Sequence, residues 1–292
     1  MMVREPVVAG QFYPGTRDTC IRMIDQMKPA APAPADLPER PVAAIVPHAG
    51  WVYSGGTALA ALAALKSRRV PKTVVLFGAV HSHRVRQTSI FSFGGWQTPL
   101  GLVQVDDRLA REILAQAPGL ITDDPRAHEQ EHSLEVQVPL IRYLMPEARI
   151  VPIAVLPDAE APAVGRIVGQ VIQNLAADAV CVGSTDLTHY GPGYGFAPAG
   201  IGPAAHKWMR DVNDRRMIDL LLRLDAEAAV AEARISANAC GAGAIAATLA
   251  AARELGAKRG CLVQYTTSYD VSTEKAGAED FEMAVGYAGL VF

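Results

Sequence analysis

Short apolar runs alternate with longer segments of helical period along most of this chain. Runs of strand length occupy residues 42–46, 73–77, 150–155, 179–182 and 261–264. Segments of helix length lie between many of them, at 57–66, 107–117, 133–145, 159–175, 206–224 and 241–255. This alternation predicts a single α/β domain spanning 1–292, with a central, mostly parallel mixed sheet and helices on both faces. The strands are apolar almost without interruption, as strands buried on both sides must be.

Three regions have a different texture. Between 87 and 105, Ile90, Phe91, Phe93, the Gly94–Gly95 pair and Trp96 precede Leu102, Val103 and Val105, a pattern read as a hairpin on a sheet edge. Its apolar residues face either the protein's own core or a second subunit. The last ten residues read as a strand interrupted by Gly286 and Gly289. Residues 1–41 form an arm, a helix capped at Thr16 or Asp18 and a Pro/Ala-rich connection packed on the core. In the 133–145 segment, Leu134, Val138, Ile141 and Met145 follow one helical stripe. Ser133 is the expected cap there, with Glu131 and Glu135 near the positive end of the helix dipole.

Composition narrows the functional classes. The 292 residues carry a net charge of −3, which gives no basic footprint for nucleic acid. No apolar run reaches the length of a membrane span, and no leader is visible, so the expected location is the cytoplasm. Cys20, Cys181, Cys240 and Cys261 are far apart in sequence, with no CxxC pair, and are expected to stay reduced.

Against that background, four places deliver a chemically capable side chain at the end of an apolar segment. In V-A-A-I-V-P-H-A-G-W-V-Y-S-G-G-T, His48 follows a strand and precedes a helix, at the sheet end where open α/β proteins bind ligands. In V-V-L-F-G-A-V-H-S-H, His81 lies three residues past Gly78, with His83 as its rival. In S-T-D-L-T-H-Y-G, Asp186 and His189 make an orienting carboxylate and an acid/base imidazole, although an Asx turn also explains Asp186. In N-A-C-G-A-G-A-I, Cys240 sits where a helix begins, a place expected to favour the thiolate. A free cysteine is otherwise a small buried hydrophobe. Two histidines and one anionic ligand, with positions left open, is the layout of a non-haem Fe(II) site; a thiolate softens it towards copper or zinc.

These segments, together with Tyr13-Pro14 and E-H-S-L-E-V-Q-V-P, resemble the Memo family, whose bacterial and archaeal members are often labelled AmmeMemoRadiSam system protein B. The resemblance runs in order along nearly the whole chain. It implies a fold similar to LigB-type class III extradiol dioxygenases, with a cysteine in place of the carboxylate ligand. Carried onto this sequence, it makes His48, His81 and Cys240 the metal ligands. His189 then takes the acid/base position, with Asp186 and His132 lining the pocket. Two positions depart from the family pattern: the usual G-P-x-H stands here as Gly78-Ala79-Val80-His81, and Trp51 replaces a frequent tyrosine.

The function this implies is an iron-dependent, dioxygenase-like oxidoreductase acting on an aromatic or phenol-like compound. His189 and Asp186 are the expected catalytic residues. Trp51 and Tyr53 wall the substrate pocket, with His132 and Glu131 behind it. Two other classes compete: a peptide-binding scaffold with a relict metal pocket, and a zinc hydrolase with His189 as base. A radical SAM partner protein is implied by the family label alone.

Overall fold

The computed structural model describes residues 2–29, 32–83, 85–276 and 281–292. Its centre is four parallel strands in the spatial order Ala43–Val46, Ala179–Ser184, Thr73–Gly78, Arg149–Ala154. The C-terminal strand Ala284–Val291 runs antiparallel beside Ala43–Val46 and carries Cys261–Thr267 and His189–Tyr190 along its other pairings. At the far edge, Thr88–Ile90 joins antiparallel to Arg149–Ala154 and parallel to Ile121–Asp123. Nine strands make up this mixed sheet among the described residues.

The central strands bury both faces, and their period of two sorts the side chains between two cores. Ala43, Ile45, Val75, Phe77, Val151 and Ile153 face the layer formed by helices Ala161–Asn174, Ala226–Ser236 and Ala242–Glu254. Ala44, Val46, Val74, Leu76, Val180 and Val182 face the helix Trp51–Arg68 and the segment around Leu140. Alanine is abundant because these layers are close. A Cβ on Gly165 would overlap the Ala247 carbonyl oxygen, and one on Gly183 would overlap the Thr248 hydroxyl.

Several expected elements change. The 87–105 region is not one edge hairpin. Thr88–Ile90 enters the main sheet, while Gly95–Trp96 pairs with Val103–Gln104 and with Val3–Arg4 of the arm in a separate three-stranded sheet. Phe91 and Trp96 are buried in the protein's own core; Phe93 is exposed. The helix expected at 133–145 begins late, as a 3-10 turn at Glu135–Gln137 and an α-helix at Val138–Leu144. Ser133 does not cap it but donates to the Ala79 carbonyl. Glu135 is drawn elsewhere: it is buried and accepts hydrogen bonds from Arg4, Tyr13 and the backbone N–H groups of Val7 and Val8. A desolvated ion pair is tolerable only with its remaining hydrogen bonds made, as here. Finally, the helix after His48 starts at Trp51, so Gly55 and Gly56 lie inside it rather than in a turn.

Further helices lie outside the expected segments. Ala226–Ser236 is capped by Asp225, whose side chain accepts from Ala228 N–H. Ser268–Ala276 follows strand Cys261–Thr267 directly. Between Pro203 and Leu222 the helix passes through a π segment at Met209–Asp214.

Candidate metal centre

The parallel strands end together, so the residues that follow them meet. Val46 leads to His48, Ser184 to Asp186 and Gly78 to His81. The loop before the late-starting helix adds Glu131 and His132, and the turn before helix Ala242–Glu254 adds Cys240. This is the carboxyl edge of the sheet, where strand connections on opposite faces leave a crevice.

His48 is the hub. It is 2% exposed, and its Nε2 lies 3.1 Å from Cys240 Sγ. Its Nδ1 lies 3.2 Å from the Ser184 hydroxyl. That hydroxyl has one proton, which goes to the Ser133 carbonyl oxygen at 2.7 Å. Ser184 Oγ also accepts from Gln137 Nε2 at 3.1 Å, so towards His48 it acts as acceptor. This assigns the proton to Nδ1 and leaves the Nε2 lone pair facing Cys240, the tautomer a metal ligand needs. Burial, reinforced by the neighbouring His81, pushes the His48 pKa down to about 3, so the ring is neutral.

His81 is oriented by a carboxylate. Glu131 accepts from the His81 backbone N–H at 2.8 Å and holds its Nδ1 at 2.9 Å, which turns Nε2 into the site. Burial opposes the charged form of His81, but the Glu131 bond and charge outweigh it and raise the pKa. Burial works against the Glu131 carboxylate as well. Its bonds to His81 and Ser133 prevail and bring it down to about 2. His132 stacks on His81 with centroids 4.5 Å apart, and stands edge-on to His48 at 5.4 Å. Burial and the adjacent His48 lower its pKa to about 4.

Asp186 braces the turn. Its Oδ1 accepts the His48 N–H at 2.7 Å and the Ala49 N–H at 3.2 Å, and its own N–H points to Cys240 Sγ at 3.3 Å. Burial raises its pKa, with those backbone bonds acting in the other direction. Oδ2 lies 4.0 Å from His189 Nε2, which has no hydrogen-bond partner. The Cys240 thiol departs from expectation. Helix Ala242–Glu254 has Gly241 as its N-cap, and burial together with the Asp186 charge pushes the thiol pKa up, not down.

Among the described residues, ligand-capable atoms therefore form two groups, His48–His81–His132 and His48–Asp186–Cys240, each with its atoms within 4.8 Å of one another. They share His48. The expected ligands His81 and Cys240 stand in different groups, and His132, expected only to line the pocket, is itself a donor. His83 belongs to neither group. A neutral His48 ring with its Nε2 lone pair directed inward, two further imidazoles, a thiol and a carboxylate fit a transition metal well.

A cleft of about 800 Å³ opens beside this centre. Phe12, Tyr53, Tyr194 and Tyr287 wall it, and His132, Asp186 and His189 line its metal-facing side. Trp51 is not part of that wall: it is 2% exposed, its ring packs on Tyr13 and its Nε1 donates to the Val136 carbonyl. Glu131 is likewise turned away from the cleft towards His81. Tyr194 and Tyr287 carried no sequence signal, because nothing local marks their convergence. Ser184 and Gln137 had a weak one, as polar residues within apolar runs.

The family described as "Memo-like protein" matches the chain over residues 4–291. A MEMO1 family protein of Thermococcus onnurineus is 36% identical, with 100% of this chain and 99% of that protein aligned. A MEMO1 family protein of Methanopyrus kandleri is 35% identical over the same shares. Among solved structures, an uncharacterized protein of Escherichia coli K12 superposes with a TM-score of 0.52 at 10% identity. That match covers 85% of this chain and 99% of that one, and shows likeness of fold. No helix among the described residues is long and apolar enough to cross a membrane.

Proposed function

The chain belongs to the Memo family, and on that footing we propose that it is an iron(II)-dependent oxidoreductase, dioxygenase-like, acting on a phenol-like aromatic compound. The observation that carries this reading is the neutral His48 ring, with Nδ1 committed to Ser184 and Nε2 aimed 3.1 Å from Cys240 Sγ, beside His81 and His132.

His48, His81 and Cys240 would hold the metal, with His132 close enough to join His48 and His81. Imidazole and thiolate together also suit copper and zinc, which compete for the same donors. Bound there, iron(II) would supply a redox-active Lewis acid on which a phenol and dioxygen can meet. The protein's own groups do the rest. Glu131 fixes the His81 ring. Asp186 holds the His48 backbone through two N–H groups. His189, in the cleft wall with Nε2 unpartnered, would take or return the phenol proton, and the nearby Asp186 carboxylate would stabilise its charged form. Phe12, Tyr53, Tyr194 and Tyr287 supply apolar faces for the ring.

The test is metal content. Wild type, His48→Ala and Cys240→Ala are purified anaerobically, loaded with Fe(II), desalted and analysed for bound metal. About one iron per chain is expected in wild type and little in either variant. Unchanged binding in both variants would overturn the assignment.

A further inference from the structure

We propose that the cleft beside the metal centre takes a phenol whose other end is cationic, an aromatic amine, in preference to an aromatic acid or a phosphorylated phenol. This rests on the phenol-binding reading above and adds the charge of the ligand's far end.

Three observations point the same way. Two carboxylates line the cleft, the buried Asp186 and the exposed Glu282, and no lysine or arginine occurs among the described lining residues. Glu282 lies just before strand Ala284–Val291, whose start pairs with His189–Tyr190, so both ends of the cleft are built on one pair of strands. Next, two hydroxyls on the helical wall have spent their protons. Ser272 Oγ donates to the Ser268 carbonyl at 2.8 Å and Thr273 Oγ1 to the Tyr269 carbonyl at 2.9 Å. What they offer a ligand is lone pairs, which suit N–H donors and not a carboxylate or phosphate. Lastly, Tyr53, Tyr194 and Tyr287 present aromatic rings around these acceptors, and ring faces attract ammonium groups. Asp186 is buried at the cleft wall, whereas Glu282 is exposed, so its attraction for a cation falls with added salt.

An anion entering this cleft would meet the like charges of Asp186 and Glu282 and the lone pairs of Ser272 and Thr273. An ammonium would meet Glu282, the hydroxyl lone pairs and the ring faces, while the phenol reaches His132, His189 and the metal-facing side.

The experiment compares three ligands that share a para-hydroxyphenyl ring: tyramine, tyrosol and 4-hydroxyphenylacetate. Binding to the full chain is measured by calorimetry under argon, with and without Fe(II), and iron content is determined on the same samples. Tyramine should bind about 5- to 10-fold more tightly than tyrosol, and 4-hydroxyphenylacetate most weakly, with the spread narrowing in high salt. Glu282→Gln should bring the tyramine and tyrosol affinities together. Equal affinity of the three, or tightest binding of the acid, overturns the charge preference while leaving iron and phenol binding intact. Failure of all three to bind an iron-loaded sample overturns it together with the phenol reading. Loss of iron alone, with the tyramine preference retained, overturns the metal assignment and supports this one.

Discussion

Glu131 decides which nitrogen of His81 faces the site, and it does so with no contact to the cleft. Its two oxygens serve the His81 ring, the His81 N–H and the Ser133 N–H. Glutamine at this position turns an N–H donor against at least one of those donors. Outer-shell partners of this type commonly change metal affinity by about 10- to 100-fold. Glu131→Gln should therefore weaken Fe(II) binding by about that factor in competition with a chelator, while a circular-dichroism spectrum stays native. Wild-type affinity in the variant would remove Glu131 from the metal's support. At this scale much was legible: His48, Asp186 and His189 follow apolar runs, and Cys240 opens a helix. His132 as a donor was not, because its stacking on His81 joins residues from separate loops. Trp51 shows the reverse. An aromatic two residues past Ala49 looked like a pocket wall, but the helix begins on it and turns its ring into the core.

At the scale of elements, the contact between helices Ala161–Asn174 and Ala242–Glu254 sets how Cys240 approaches His48. Gly165 lets the Ala247 backbone come close, and Gly243 does the same for the Leu156 carbonyl. A methyl at Gly165 has backbone, not a flexible side chain, in its way. Gly165→Ala should cost about 1–3 kcal/mol, read as a lower urea midpoint; an unchanged midpoint would show that the helices separate freely. In the 133–145 stripe the α-helix starts later than its apolar period implies. Leu134, Val138 and Ile141 do point inward, but Glu135 binds the arm and Gln137 donates to the Pro47 carbonyl. Pro139 adds to these ties: having no N–H to give the Glu135 carbonyl, it lets the segment open as a 3-10 turn before Val138, and periodicity alone does not register this.

Across the whole molecule, one buried carboxyl outside the metal site ties distant segments together and carries a pH signature. Asp214, at the end of the π segment, accepts from the Thr188 backbone N–H at 3.0 Å, the Thr188 hydroxyl and the Tyr265 hydroxyl. Its neighbour Asn213 donates to Thr188 Oγ1 and to the Ser236 carbonyl, and its carbonyl accepts from Asn238 Nδ2. The loop bearing Asp186 and His189 and the loop bearing Cys240 are thus held from one point. Burial raises the Asp214 pKa from 3.8 to about 6, with its hydrogen bonds acting against that rise. The folded protein then binds this proton more tightly than the unfolded chain. Its contribution is fully present below about pH 4 and is lost as pH rises through about 6, a change on the order of 3 kcal/mol. The stability of wild type minus that of Asp214→Asn should fall over that window in urea titrations. A constant difference from pH 4 to 7 would show that the carboxyl is not perturbed.

The sequence by itself determined the α/β class, the two-sided burial of the strands and most of the chemically capable residues. Each of these is a local property: a run of apolar residues, a helical stripe, a polar group at the end of a run. Tertiary structure alone decided which of those groups meet. Strands Ala43–Val46 and Thr73–Gly78 are consecutive in the chain's parallel order yet are separated in space by Ala179–Ser184. That insertion brings Asp186 against the His48 turn, and the helix that follows Cys240 then sets its sulfur at the His48 ring. The tautomer of His48, the raised thiol pKa and the charge of the cleft all depend on neighbours tens to hundreds of residues away, and no window of sequence holds them.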